Sequence, residues 1–259
     1  MQGARSIVVR LLVGCAALAA GGCDERIHLG VTAGDGGVLW RAGFETGDLS
    51  EWTSDGNGGT RVENAPAAPT ATQNMAHGGS HAGLTTVAPT NMDSLDYFYR
   101  RQPSPSEAYY SAWFYIPSTI TVGTWLSLHH FRGSANGDPN SLTGIWDLNL
   151  YTLPGGQLAA QLGDFVSQFN LRQPAPIPVP RDAWVHFEVL FRKAEDLTGR
   201  VAVWQDGALI LDRAGVLTAQ SPLVVWEVGA GSGDLAPLPA TIYVDDAAIS
   251  LSRLGPAGN

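Results

Sequence analysis

Several short runs of this chain alternate aromatic rings with hydrogen-bonding groups, and that alternation is where chemistry could reside. In 109–116, Tyr109, Ser111, Trp113 and Tyr115 fall on one side of an extended segment, and Tyr110, Ala112, Phe114 and Ile116 on the other, because successive strand side chains point opposite ways. In 125–132, Trp125, Ser127 and His129 oppose Leu126 and Leu128, and His130 is grouped with the leucines as a structural histidine. In 145–152, Asp147, Asn149 and Tyr151 oppose Trp146, Leu148 and Leu150. In 184–192, Trp184, His186, Glu188 and Arg192 oppose Val185, Phe187, Val189 and Phe191. Sugar rings have apolar faces that pack on Trp and Tyr, and hydroxyls that need carboxylates, amides or imidazoles. Trp113, Tyr115, Trp125, Asp147 and Asn149 are therefore the candidate ligand-binding residues, for a polysaccharide lying along one shared sheet face.

Such a face needs a sheet to carry it, and the rest of the chain reads that way. Charged residues are 15%, with 31 Gly and 16 Pro, the balance of a turn-rich β protein. Alternating runs at 38–45, 80–87, 107–116, 124–131, 145–152, 157–163, 183–192, 200–205, 208–212, 222–228 and 240–251 are the expected strands. Asp206-Gly207 between two of them signals a tight hairpin. Residues 53–76 and 133–142 read as loops, and the proline-rich 174–180 as an extended surface crossing. The expectation is an all-β, antiparallel two-sheet sandwich over 38–254, acting as a monomer. A formal charge of −9 argues against nucleic acid as a partner.

Residues 1–22 read as a signal peptide: Arg5 and Arg10, then the apolar run 11–20, too short to span a bilayer. Leu18-Ala19-Ala20-Gly21-Gly22-Cys23 resembles a lipobox, which marks Cys23 for lipidation and 23–37 as a flexible tether. The implied place is the cell envelope, as a membrane-anchored lipoprotein exposed to the periplasm or the cell surface. Cys15 and Cys23 are the two cysteines, so the folded domain is expected to hold without a disulfide.

Gly43-Phe44-Glu45-Thr46-Gly47-Asp48-Leu49-Ser50-Glu51-Trp52 resembles the first strand of concanavalin A-like jelly rolls, and 77–84 their second. Trp184-Val185-His186-Phe187-Glu188-Val189, with 199–207, resembles the back half of heparin lyase I-like polysaccharide lyases; 241–250 resembles their closing strand. The fold implied is a jelly roll. The resemblance also implies a lysine and a tyrosine just before that closing strand. Here the stretch is Trp226-Glu227-Val228-Gly229-Ala230-Gly231, with glutamate in the lysine's place and glycine in the tyrosine's.

Elimination from a uronic acid needs a group to neutralise the carboxylate, a base for the C5 proton and an acid for the leaving O4. His129 is the candidate base, Tyr109 or Tyr151 the acid, and Arg100 or Arg101 the neutraliser. Jelly rolls also hold calcium between a first-strand Glu and a last-strand Asp, which implies Glu45 and Asp245 as ligands of a structural ion. Retaining glycoside hydrolases need two carboxylates about 5–5.5 Å apart, and no strand here carries the paired acids. Serine-triad, zinc and nucleotide-loop patterns are likewise missing. Carbohydrate binding leads, because the lysine–tyrosine pair is replaced. A polysaccharide lyase is the alternative, and a structural envelope lipoprotein without ligand the second alternative.

Overall fold

The computed structural model describes residues 37–257 apart from 135 and 139. The leader, Cys23 and the tether through residue 36 lie outside the described residues. The first strands are β1 (Val38–Ala42), β2 (Gly58–Glu63), β3 (Thr70–Thr72), β4 (Ala82–Val87), β5 (Ser94–Arg100) and β6 (Glu107–Tyr115). Then come β7 (Thr121–Val122), β8 (Leu126–Gly133), β9 (Thr143–Thr152), β10 (Leu158–Asp164), β11 (Phe169–Arg172) and β12 (Pro178–Val179). The last six are β13 (Trp184–Arg192), β14 (Gly199–Gln205), β15 (Ala208–Val216), β16 (Val224–Ser232), β17 (Leu235–Ala236) and β18 (Ala240–Ser250). Among the described residues one short helix, α1 (Ser50–Thr53), follows β1.

Two antiparallel sheets form a jelly-roll sandwich. The back sheet runs β15-β14-β13-β6-β18-β4-β3, with β1 also on β18; the front sheet runs β11-β10-β9-β8-β16-β5-β2, with β12 beside β10. Every side chain that alternation assigns to the core in β6, β9 and β13 is buried in one apolar cluster, as are Leu126 and Leu128. Rings bridge the layers: Phe131 of the front sheet stacks on Phe191 of the back sheet at 4.1 Å, and Tyr110 meets Trp226 at 5.4 Å. Trp52 of α1 plugs one end against Phe98 at 5.3 Å and Phe44 at 5.9 Å. Each such burial contributes roughly 1.5–3 kcal/mol. The Asp206-Gly207 hairpin joins β14 to β15, both residues at positive φ (48° and 85°), as a two-residue turn of this kind requires. None of the described residues is a cysteine.

The shared aromatic face does not form, because the strands assigned to it divide between the sheets. Tyr109, Trp113 and Tyr115 point outward from the back sheet, where the His77 ring stacks on Trp113 at 3.8 Å. Asp147, Asn149 and Tyr151 belong to the front sheet. Alternation assigns residues to the two sides of a strand, but says nothing of which strands pair. The stretch 53–76 is not one loop, since it contains β2 and β3.

β5 and β11 also escape the alternation rule. The inward positions of β5 carry Ser94, Asp96 and Arg100 as well as Phe98, so an apolar stripe is missing. Asp96 is fully buried; one carboxyl oxygen accepts the Thr86 N–H at 2.6 Å and the other has no partner. Burial pushes its pKa up to about 7, against the Thr86 hydrogen bond. A carboxyl that holds its proton more tightly when folded destabilises the fold as pH rises from the unfolded value near 4 toward 7. Asp96→Asn keeps an acceptor for Thr86 and removes the charge. Thermal melts should show it more stable than the parent at pH 8 and equal to it below pH 4; equal melting temperatures at pH 8 would refute this account.

Candidate functional site

The outer face of the front sheet is a groove of about 580 Å³. Rows of residues cross it from strand to strand. Glu227 of β16 stands opposite His130 of β8, His130 opposite Asp147 of β9, and Asp147 opposite Gly163 of β10. A second row sets Gly231 opposite Ser127, then Asn149, Gln161 and Arg172. Direct cross-strand neighbours lie about 4.5–5.5 Å apart, so each row places its groups within reach of one bound molecule.

Tyr97 arrives from β5. Its ring lies 5.8 Å from the His130 ring, its hydroxyl is buried beside the Ser127 hydroxyl, and it has no hydrogen-bond partner. Burial raises its pKa, so the phenol keeps its proton. Space for it comes from Gly231: a Cβ there would stand 2.2 Å from Tyr97 Oη. Gly144 does the same for His130, whose Nε2 would lie 2.8 Å from an added Cβ. Gly231 belongs to the stretch where the resemblance implies a tyrosine, and a tyrosine reaches that space from the neighbouring strand.

Glu227 anchors the other side of His130. It accepts Arg61 Nη1 at 2.9 Å and Arg132 Nη1 at 3.2 Å, and its carboxylate lies 3.3 Å from His130 Nδ1. Neither His130 nitrogen completes a hydrogen bond. Burial pushes the Glu227 carboxyl up, but His130 and the two guanidiniums outweigh it and hold its pKa below the usual range. The glutamate is thus charged and compensated.

The far end of the groove is polar. Asp147 and Asn149 each present an oxygen without a partner. Burial raises the Asp147 carboxyl to about 6, against the nearby His130. Arg172 Nε donates to Gln161 Oε1 at 2.8 Å and its guanidinium covers the Tyr151 ring at 4.2 Å. Trp125, Phe165 and Phe169 add rings to the lining.

Of the residues singled out from sequence, Trp125, Asp147 and Asn149 line this groove, and Tyr151 sits on the same face under Arg172. Trp113, Tyr115 and Tyr109 face outward from the other sheet, Tyr109 beside Trp204 at 5.8 Å. Arg100 points inward, donating to Trp52 O at 2.7 Å and to both Asp55 oxygens. His129 lies between the sheets, accepting Trp226 Nε1 at 3.0 Å, and its pKa falls to about 3 through burial and then the nearby His186. The cause of the exchange between His129 and His130 is a bulge. The register of β8 on β9 shifts between Ser127 and His129, so Leu128 and His129 both turn inward and the alternation restarts one residue late.

Glu45 and Asp245 flank the turn 77–81. Glu45 accepts the Ser80 and His81 N–H groups, each at 3.0 Å; Asp245 accepts those of His77 and Asp246, each at 2.8 Å. Among the described residues no three His, Cys, Asp or Glu gather as a metal shell. The pair does not fit a calcium shell in this arrangement, because N–H donors hold the oxygens a cation would need.

Fold and groove define a class: a jelly-roll sandwich with an open polar trough across one sheet. A family model described as polysaccharide lyase matches residues 44–230. The chain belongs to the polysaccharide lyase family. Among curated proteins no sequence matches it. An endo-β-1,4-glucuronan lyase from the fungus Trichoderma reesei superposes with a TM-score of 0.58 at 15% identity, covering 83% of this chain and 96% of that one. The alginate lyase Aly36B, as a doubly substituted form with an alginate trisaccharide, gives 0.55 at 12% identity over 83% and 98%. The alginate lyase vAL-1 from Chlorella virus gives 0.53 at 13% identity over 82% and 99%. At these identities the likeness concerns the fold.

Proposed function

We propose that the front groove cleaves a uronic-acid-containing polysaccharide by β-elimination. The observation that carries this reading is a phenol and an imidazole, Tyr97 and His130, facing one groove, with the Tyr97 hydroxyl and His130 Nε2 unpartnered and His130 Nδ1 beside the Glu227 carboxylate. In the reaction His130 takes the C5 proton. The C4–O4 bond breaks as the C4=C5 double bond forms, and Tyr97, which holds its proton, gives it to O4. Asn149, Gln161 and Arg172 receive the substrate carboxylate and offset the charge that builds during proton removal. Below about pH 6 Asp147 is neutral and does not repel that carboxylate.

Incubation with glucuronan, alginate and polygalacturonate should release products with the ultraviolet absorbance of an unsaturated uronate from at least one polymer. Retention on a polymer gel without that absorbance would leave binding alone, the leading reading of the sequence, which the half-exposed rings Phe165 and Phe169 favour. Gly231→Ala puts a methyl group against Tyr97 Oη and should displace the phenol. A misplacement of about 1 Å costs on the order of 10²-fold in rate, so turnover should drop steeply, and the melting temperature should fall with the roughly 1–3 kcal/mol that overpacking costs. Unchanged turnover would remove Tyr97 from the mechanism.

For location, we infer from the leader that the protein is an exported lipoprotein held by Cys23. Labelled fatty acid should be incorporated by the parent and not by Cys23→Ala; equal incorporation would sink the inference.

A further inference from the structure

His130 stands between two carboxylates, and their distances decide which ring nitrogen carries the proton. Glu227 reaches it from β16, with Oε2 3.3 Å from His130 Nδ1. Asp147 stands opposite on β9 with one oxygen unpartnered, and among the described residues it forms no ion pair with the ring. Tyr97 of β5 and Phe165, just after β10, bring rings to 5.8 and 6.0 Å. Glu227 is itself fixed: Arg61 donates to Oε2 and Arg132 to Oε1, and the residue is 1% exposed. A neutral imidazole has one N–H and one bare nitrogen, and its neighbours select which is which. A bare Nδ1 would set a lone pair against the carboxylate and repel it. An Nδ1–H is attracted instead, and burial enlarges the difference. The contact is longer than a finished hydrogen bond, as catalytic contacts often are before substrate tightens the site. The lone pair is then left on Nε2, beside the space that Gly144 keeps open.

We propose that Glu227 is a positioning residue for His130: it holds the ring in the Nδ1–H form, so that Nε2 is the nitrogen that takes the C5 proton. This rests on the reading of the groove as a lyase site. The proton passes from C5 to Nε2, the C5–H electron pair becomes the double bond, and O4 leaves with its own pair and takes the Tyr97 proton. Glu227 remains a carboxylate throughout and balances the imidazolium. The lysine that the resemblance implies in this place has only donors to offer and would favour a bare Nδ1. Glutamate there is what makes Nε2 the base.

The test is NMR of protein carrying isotope-labelled histidine, at about pH 8.5, above the ordinary histidine titration range. Protonated and bare ring nitrogens give separate signals, and a His130→Gln sample assigns those of His130. The parent should show Nδ1–H. Glu227→Gln should pass to Nε2–H or to a mixture, because its amide can turn an N–H toward Nδ1. Asp147→Asn should keep the form of the parent. In the ultraviolet assay Glu227→Gln should lose kcat on the order of 10²-fold or more, since a wrong tautomer withdraws the base, while KM stays within about two-fold. Nε2–H in the parent overturns the proposal, and that spectrum decides even where the variant does not fold. A tautomer that follows Asp147 rather than Glu227, or a switched tautomer with undiminished kcat, overturns it too. A tautomer set by Glu227 in a protein that cleaves none of the polymers defeats the lyase reading alone.

Discussion

Tyr97→Phe should leave a folded protein whose rate of elimination falls by about 10²–10⁴-fold, the usual worth of a positioned proton donor. The hydroxyl is buried and makes no hydrogen bond. Removing an unsatisfied buried polar group costs the fold nothing and can stabilise it. The expected signature is therefore a lost rate with an unchanged or raised melting temperature. Ultraviolet assay of product and a thermal melt on the same preparation check both halves. Full activity in the variant would exclude Tyr97 as the acid, and collapse of the fold would mean that the phenol has a structural partner the geometry does not show.

Glu227→Ala should have the largest effect on stability, on the order of 3–5 kcal/mol, as expected when one partner of a buried ion pair is removed. The carboxylate is almost completely buried and holds Arg61, Arg132 and His130 within 3.3 Å. Without it, Arg132 and the His130 imidazole lose the carboxylate between them in the floor of the sheet, and Arg61 keeps only the half-exposed Glu63. Denaturant unfolding measures the loss. Glu227→Gln keeps the shape and two acceptor lone pairs, and should lose less than the alanine variant. A cost under about 1 kcal/mol for alanine, the value of an exposed pair, would show that water reaches these cations freely.

How far the sequence carries depends on what each strand buries. β6, β9 and β13 bury apolar residues at alternate positions, so their two sides could be assigned residue by residue. β5 buries a carboxylate and a guanidinium beside its phenylalanine, so the strand that brings Tyr97 to the groove lacks the stripe that would reveal it. Its outward set, Leu95, Tyr97 and Tyr99, could have been found had a polar interior been allowed. β8 follows the alternation until Ser127 and then breaks it. His130, grouped from sequence with the core leucines, faces the groove, while His129 is enclosed. Pairing across the sheets is a further layer: Trp113 and Trp125 lie on outward faces, but of different sheets, and strand periodicity does not encode which strand lies next to which. The groove thus draws Asp147, Asn149 and Trp125 from sequence reasoning and Tyr97, His130, Glu227 and the arginines from the fold.

Neither cysteine of the chain falls within the sandwich. A domain of residues 37–257 should therefore be indifferent to the redox state of the host in which it is produced, and reducing agents should not shift its unfolding. It also offers a silent background for thiol chemistry. A single cysteine placed at Phe165, on the rim of the groove, would be the sole attachment point for a spin or fluorescent label, and could report the arrival of a polymer without competing thiols.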